Sequence, residues 1–162
     1  GQVRKDRITA GDREATLARI RTTSRLEVAR EVDLVIEAAY ESLTVKKDIF
    51  EKLDELCPGE IIFASNTSSI PISTLTTATN RPDRFIGMHF FSPVPLMRLV
   101  EIIRGLKTSE DTTRTAEAVA ARMQKETVRV KDVPGFLVNR INAAFRAEDI
   151  LGGEHGRRAR MP

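Results

Sequence analysis

Three groups of polar residues stand where acid–base chemistry would need them, next to or inside short apolar runs of the sequence. Residues 65–69 (SNTSS) follow one apolar run, and His89 follows another. Glu101 comes twelve residues after His89, inside a third apolar run. A general acid–base site requires these residue types, because a carboxylate orients an imidazole that takes up a proton while hydroxyl groups hold the reacting oxygen.

The apolar runs and the stretches between them predict an α/β fold. Short apolar runs bounded by polar residues or prolines indicate buried strands, predicted over residues 33–38, 61–64, 85–91, 99–104 and 127–131. Helical segments alternate with these strands: one capped by Thr9 or Asp12 and ending near residue 20, then 26–30, 44–56, 72–77, 111–124, and one opening at 132–135 and ending near 149. Such alternation favours a doubly wound, mostly parallel sheet, which binds ligands at the carboxyl ends of its strands.

Helical periodicity also predicts which side chains face the core. In the helix over 44–56 the apolar positions are Val45, Ile49, Leu53 and Leu56, and Lys46 falls on the outer side. In the helix over 111–124 the inward positions are Ala116, Val119, Ala120 and Met123. These spacings are those of amphipathic surface helices.

Composition limits the class of protein. The 162 residues are 41% hydrophobic and 30% charged, with a net charge of +3 that lies mostly in the last eleven residues. Without a basic face, and with one Tyr and no Trp, a nucleic-acid partner is not expected. No apolar run is long enough to span a bilayer, and Cys57 is the single cysteine, so a soluble, cytoplasmic protein is expected.

Four blocks of the sequence resemble the L-3-hydroxyacyl-CoA dehydrogenase family, whose members are NAD-dependent. The blocks are DLVIEAAYESLTVKKDIFEKL, ASNTSSIPI, DRFIGMHFFSPVPLMRLVEIIRG and KDVPGFLVNRI. The resemblance implies a Rossmann-like fold, NAD as cofactor, an acyl-CoA substrate and a homodimer of the full-length protein. It also implies that 1–132 is the later part of the NAD-binding domain and 133–151 a helix linking it to a C-terminal domain. The residues themselves, from Gly152-Gly153 onward, predict a flexible tail over 152–162.

The resemblance gives catalytic roles to four residues. His89 matches the general base and Glu101 the carboxylate that pairs with it. Ser68 and Asn139 match residues that hydrogen-bond the substrate's 3-oxygen or thioester region, and Asn66 is a weaker candidate there. Without the resemblance, a structural His89–Glu101 pair is as well favoured as an acid–base pair. The SNTSS hydroxyls, taken alone, are more typical of caps in a strand-to-helix turn than of catalytic groups.

The resemblance also implies a set of cofactor-binding residues. Glu41 and Lys46 match an acidic residue and a lysine on the ribose and nicotinamide side of NAD, near Ser68 and Asn66. Taken alone, Glu41 and Lys46 indicate a solvated start of a helix. Ser92 stands where many members of the family have an Asn that contacts nicotinamide. With two histidines in the chain, no metal site is expected.

One feature of the family is missing from the sequence. None of the nine glycines forms the G-x-G-x-x-G loop that binds the pyrophosphate, so the chain is expected to start after that loop. Two functions from different classes follow: the catalytic middle of a dehydrogenase, or a non-catalytic fragment or interaction module that keeps the fold's second half. A dehydrogenase acting on a related hydroxy acid that carries no CoA is a third, weaker alternative.

Overall fold

Five strands form one sheet in the computed structural model, which describes residues 8–146. In chain order and in spatial order they are β1 (Leu34–Glu37), β2 (Ile62–Ser65), β3 (Phe85–Phe90), β4 (Leu99–Arg104) and β5 (Glu126–Lys131). The pairs β1–β2, β2–β3 and β4–β5 are parallel, whereas β3–β4 is antiparallel. The predicted mostly parallel α/β sheet is confirmed, and each strand lies within one residue of its predicted bounds.

Helices connect the strands and cover the sheet. They are α1 (Ala10–Ala18), α2 (Leu43–Leu56), α3 (Ile72–Leu75), α4 (Glu110–Arg122) and α5 (138–146), with short 3₁₀ turns over Leu26–Glu31, Thr76–Ala78 and Pro82–Arg84. Thr9 caps α1 as predicted, since its side chain accepts from the N–H of Asp12 while the Asp12 carboxylate accepts from that of Thr9. Among residues 8–146 no helix has the length and apolarity needed to cross a membrane.

The core has two parts, one on each face of the sheet. Phe63 and Phe85 point to the face covered by α2 and α3, whereas Ile62 and Ile86 point to the face that packs against α4. Because successive residues of a strand point to opposite faces, strands covered on both faces are apolar at consecutive positions. This accounts for the uninterrupted apolar runs from which the strands were predicted.

The buried face of α2 differs from the prediction. Leu53 is buried as expected, but Val45 is 39% exposed and Lys46, expected on the outer side, is only 1% exposed. The inward face is formed by Lys46, Phe50 and Leu53. The helix is rotated about its axis relative to the prediction because Phe50 fills the space beside Phe63 and Phe85.

Met123, the residue that follows α4, lies outside the core. Its side chain is 47% exposed, although it was predicted to face inward. Thr112 and Thr113 are buried instead, and their hydroxyls donate to the carbonyls of Asp83 and Ser109 at 2.8 and 2.9 Å. Buried hydroxyls satisfied in this way are tolerated in a core.

Helix α5 begins later than predicted. Gly135 and Phe136 have φ values of 75° and 49°, so both lie in the left-handed region and form a turn, and the helix starts at residue 138. The predicted continuation of the linking helix over 147–151 and the predicted tail over 152–162 lie outside the described residues, as do residues 1–7.

Candidate active site

His89 and Glu101 form the centre of the site. They are register partners in the antiparallel β3–β4 ladder, so their side chains project from the same face of the sheet. His89 Nδ1 lies 2.7 Å from Glu101 Oε2, and the two residues are 5% and 0% exposed. The imidazole packs between the rings of Phe91 and Phe136, at centroid distances of 4.6 and 5.8 Å.

The second oxygen of Glu101 is held by the backbone that leads into α5. Glu101 Oε1 accepts from the N–H groups of Leu137 and Val138 at 3.0 and 2.9 Å. The N–H groups at the start of a helix lack intrahelical partners and favour an anion. A carboxylate held in this way accepts a hydrogen bond from Nδ1–H, which leaves Nε2 as the basic nitrogen of His89.

A carboxylate also organises the SNTSS loop at the carboxyl end of β2. Glu41 Oε1 accepts from the Thr67 hydroxyl at 2.6 Å, from the N–H groups of Ser68 and Ser69 at 2.9 and 3.2 Å, and from the Ser69 hydroxyl at 3.2 Å. Partial burial raises the pKa of Glu41, but the hydrogen bonds from Thr67 and Ser68, together with the charge of Lys46, lower it by more. The net effect is a pKa below the ordinary value, so Glu41 is ionised at neutral pH.

Lys46 belongs to a buried ion pair rather than to a solvated helix start. Its Nζ lies 2.8 Å from Glu37 Oε1 and 3.4 Å from Glu41 Oε2. Glu37 Oε2 accepts from the Ser65 hydroxyl at 2.7 Å. The network therefore joins the end of β1, the start of α2 and the end of β2, and the prediction that Lys46 is solvated is wrong.

Ser68 and Asn139 lie together although 71 residues separate them. Asn139 Nδ2 donates to the carbonyl oxygen of Ser68 at 3.1 Å. Both residues are exposed, and the Ser68 hydroxyl makes no hydrogen bond within the described part of the chain. The contact links the SNTSS loop to the first turn of α5, so the two residues predicted to contact substrate lie on one side of the site.

Asn66 and Ser92 lie at the same edge of the sheet but differ in their contacts. Asn66 Oδ1 accepts from the N–H of Phe90 at 2.8 Å and so joins the ends of β2 and β3. Ser92 follows β3 and is exposed, and its hydroxyl has no hydrogen bond to any residue within 8–146.

The described residues offer contacts for the nicotinamide side of the predicted NAD cofactor rather than for its pyrophosphate. Exposed groups of Glu41, Ser68 and Ser92 offer donors and acceptors of the kind that a ribose and a carboxamide bind. The sequence holds no glycine-rich loop for a pyrophosphate. The residues present therefore fit the nicotinamide side of a dinucleotide.

Sequence reasoning missed two carboxylates that hold the fold together, one buried (Glu37) and one half-buried (Asp132). Glu37, 5% exposed, lies inside the apolar run of β1 in the same way that Glu101 lies inside that of β4, so its position was a usable signal. Asp132 receives hydrogen bonds from the backbone of Ile72 and Ser73 at 2.6 and 2.7 Å. No local pattern marks that role, because its partners are about 60 residues away.

The doubly wound sheet, with an acid–base pair and free hydroxyls at its carboxyl edge, defines a Rossmann-like domain of the NAD-binding class. A sequence profile described as 3-hydroxyacyl-CoA dehydrogenase, NAD binding domain, matches residues 1–133. The chain belongs to the 3-hydroxyacyl-CoA dehydrogenase family, as the sequence blocks predicted.

Relatives and solved structures agree with this membership. The chain is 47% identical over 137 residues, or 85% of its length, to a probable 3-hydroxybutyryl-CoA dehydrogenase of Bacillus subtilis, covering 48% of that protein. It is 43% identical to the human mitochondrial hydroxyacyl-coenzyme A dehydrogenase, covering 93% of this chain and 49% of that protein. The crystal structure of (S)-3-hydroxybutyryl-CoA dehydrogenase from Ralstonia eutropha superimposes with a TM-score of 0.90 at 43% identity, covering 94% of this chain and 55% of that chain.

The chain spans about half the length of the curated relatives it matches. The predictions of the family, of a Rossmann-like fold and of NAD as the cofactor that this domain of the family binds are confirmed. The roles of individual residues and the activity of the whole protein are proposals.

Proposed function

We propose that this chain is the base-carrying part of an NAD-dependent oxidoreductase that converts (3S)-3-hydroxyacyl-CoA into 3-ketoacyl-CoA. The observation that carries the proposal is the buried contact of 2.7 Å between His89 Nδ1 and Glu101 Oε2. This contact leaves Nε2 of His89 as the atom that takes the proton of the substrate's 3-hydroxyl. The names of the relatives support the substrate class.

Each residue of the site has a distinct task in this reaction. Glu101 keeps His89 in the tautomer that carries its hydrogen on Nδ1. It also stabilises the imidazolium that forms when Nε2 takes the proton. Ser68 and Asn139 donate hydrogen bonds to the 3-oxygen or the thioester, where negative charge develops. The chemistry that NAD supplies when bound is acceptance of the hydride from C3. The imidazolium then releases its proton to solvent, which completes the turnover.

The cofactor side of the proposal places Glu41, Lys46, Ser68, Ser92 and Asn66 toward the ribose and nicotinamide. Lys46 supports this role indirectly, because its ammonium is held between Glu37 and Glu41. Glu41 combines two functions in this proposal: it fixes the SNTSS loop through Oε1, and its side chain, 39% exposed and in contact with Lys46 through Oε2, accepts from a ribose hydroxyl.

The decisive experiment uses a chimera in which this chain replaces the matching half of the Bacillus subtilis relative. NADH binding is measured by fluorescence, and NADH oxidation is measured with acetoacetyl-CoA, in the chimera and in the 162-residue chain. The proposal expects binding and turnover in the chimera. A chimera that binds NADH but does not oxidise it with acetoacetyl-CoA would contradict the proposed activity.

The second candidate is a non-catalytic interaction module, which the absence of a G-x-G-x-x-G loop from the sequence favours for the isolated chain. Folding without NADH binding in the 162-residue chain, together with an inactive chimera, supports that candidate. A homodimer of the full-length protein and a cytoplasmic location are further proposals. Light scattering tests the first, and cell fractionation tests the second.

A further inference from the structure

Asp132 ties the end of β5 to the start of α3. It is the first residue after β5, and its oxygens Oδ1 and Oδ2 accept from the N–H groups of Ile72 and Ser73 at 2.6 and 2.7 Å. These N–H groups belong to the first turn of α3, where no intrahelical acceptor is available. Each carboxylate oxygen thus satisfies one orphan donor, which makes the contact a two-point clamp.

The residues after Asp132 form a tight turn. Val133 donates to the carbonyl of Lys131 and Phe136 to that of Val133, each at 2.9 Å. Gly135 and Phe136 have positive φ, and Phe136 is 2% exposed in the same core cluster as Ile72. The turn is therefore anchored by the side chain of Phe136 as well as by its hydrogen bonds.

The far end of the turn reaches the proposed base through Glu101. The N–H groups of Leu137 and Val138 donate to Glu101 Oε1, while Oε2 contacts His89. One short segment, 132–138, is thus fastened to α3 at its start and to the buried carboxylate at its end. A displacement at the start of this segment moves the donors that hold Glu101.

We propose that Asp132 is a positioning residue for the His89–Glu101 pair: by clamping the turn to α3, it holds the two N–H groups that orient the Glu101 carboxylate. It contacts neither of the reacting groups and acts only through the backbone of residues 133–138. The proposal deepens the proposed function, on which it rests for its catalytic consequence, but the geometric effect is measurable without turnover.

Asp54 provides a matched control, because it makes the same kind of clamp away from the site. Its oxygens accept from the Thr79 hydroxyl at 2.6 Å, from the Asn80 N–H at 2.9 Å and from Arg81 Nε at 2.7 Å. If Asp132 served stability alone, its removal would resemble the removal of Asp54. If it positions the pair, only its own removal changes the hydrogen bond of His89.

The experiment is proton–nitrogen NMR of the imidazole in the full 162-residue chain labelled with ¹⁵N-histidine. His155, the other histidine of the sequence, is replaced by Gln in every sample, so that the ring signals belong to His89. A strong hydrogen bond to a buried carboxylate moves the Nδ1–H proton downfield and slows its exchange with water. Glu101→Gln serves as the reference in which that signal is lost.

The proposal expects Asp132→Ala to lose the downfield Nδ1–H signal and Asp132→Asn to weaken it, whereas Asp54→Ala retains it at full intensity despite a lower melting temperature. Retention of the full signal in a folded Asp132→Ala chain would overturn the proposal. If Asp132→Ala does not fold, retention of the full signal in Asp132→Asn would overturn the proposal. A parent chain without the signal would also overturn it. Loss of NADH oxidation in the chimera with the signal intact would count against the proposed function alone.

Discussion

His89 and Glu101 lie directly opposite each other on β3 and β4, with 2.7 Å between Nδ1 and Oε2. These two strands are antiparallel within a sheet whose other described pairs are parallel. Direct opposition on one face brings the side chains of an antiparallel pair close together. The reversal of chain direction over 91–98 is therefore what allows residues twelve apart in the sequence to form a buried acid–base pair.

Replacement of His89 by Gln tests the proposed base. Gln keeps hydrogen-bonding atoms but has no basic nitrogen to take the proton of the substrate's hydroxyl, so turnover should fall by at least ~10²-fold. The measurement is kcat for the NADH-dependent reduction of acetoacetyl-CoA by the chimera. The NADH dissociation constant of the same variant is the control and should stay within about twofold, since no cofactor contact is assigned to His89. An unchanged kcat would remove His89 from the mechanism.

Replacement of Lys46 by Met tests the buried ion pair. Glu37 would keep its charge in a buried position without the ammonium at 2.8 Å, and the free energy of unfolding should fall by ~3–5 kcal/mol. Urea unfolding of the 162-residue chain measures the loss.

Two further variants show whether the loss of stability in Lys46→Met comes from the buried ion pair. Lys52→Met, at an exposed position of the same helix, should change the free energy of unfolding by no more than about 0.5 kcal/mol. Adding Glu37→Gln to Lys46→Met should recover part of the loss, because the uncompensated charge is gone. Equal losses in Lys46→Met and Lys52→Met would show that the pair is not buried in solution.

Glu41 should make stability depend on pH in the acid range. Its pKa in the folded chain is lowered from the ordinary 4.5, so the folded state binds this proton less readily than the unfolded state does. The contribution is fully present above pH 4.5 and is lost as the pH falls through the folded pKa. The difference in urea midpoint between the parent chain and Glu41→Gln should therefore be largest near neutral pH and should shrink below pH 4.5.

The control for this pH effect is Glu51→Gln. Glu51 is exposed on α2 and makes no hydrogen bond or ion pair with any of residues 8–146. The midpoint difference for this variant should stay small across the pH range. A difference for Glu41→Gln that grows in acid would mean that its pKa is raised in the folded chain.

Gly87 tests how closely β3 packs against α3 just before the proposed base. A Cβ at this position would lie 2.8 Å from Ile72 Cδ1 and 2.9 Å from Ile103 Cβ, so Gly87→Ala should destabilise the chain by ~1–3 kcal/mol. Adding Ile72→Val removes Cδ1 but leaves the contacts with Ile72 Cγ1 and Ile103 Cβ, each at 2.9 Å, so recovery should be partial.

Gly59→Ala is the control for the packing effect. A Cβ at Gly59 meets no atom within 4 Å, so this variant should be neutral or slightly more stable. Both glycine variants are compared by thermal and urea unfolding. Equal stabilities would show that the sheet accommodates a methyl group at Gly87 without cost.

The local sequence pattern was sufficient to predict the strands and most of the helix bounds. The apolar runs of β2 and β3 and the helical spacing of α4 reflect burial that each segment needs wherever its partners lie. Residue types and spacing identified His89, Glu101 and the SNTSS loop, and the family blocks added Asn139 and the predicted roles. The one-residue accuracy of the strands follows from the polar residues and prolines that end each run.

The local sequence pattern could not predict contacts between segments that are distant in the sequence. Lys46 has the chemistry of a surface residue, and its burial depends on Glu37 and Glu41 meeting it from β1 and the following loop. The clamp of Asp132 on α3 spans about 60 residues. Periodicity records only how apolar a position is. The partner of a buried charge depends on which elements dock, because the cost of desolvating a charge is offset only where a complementary group lies next to it.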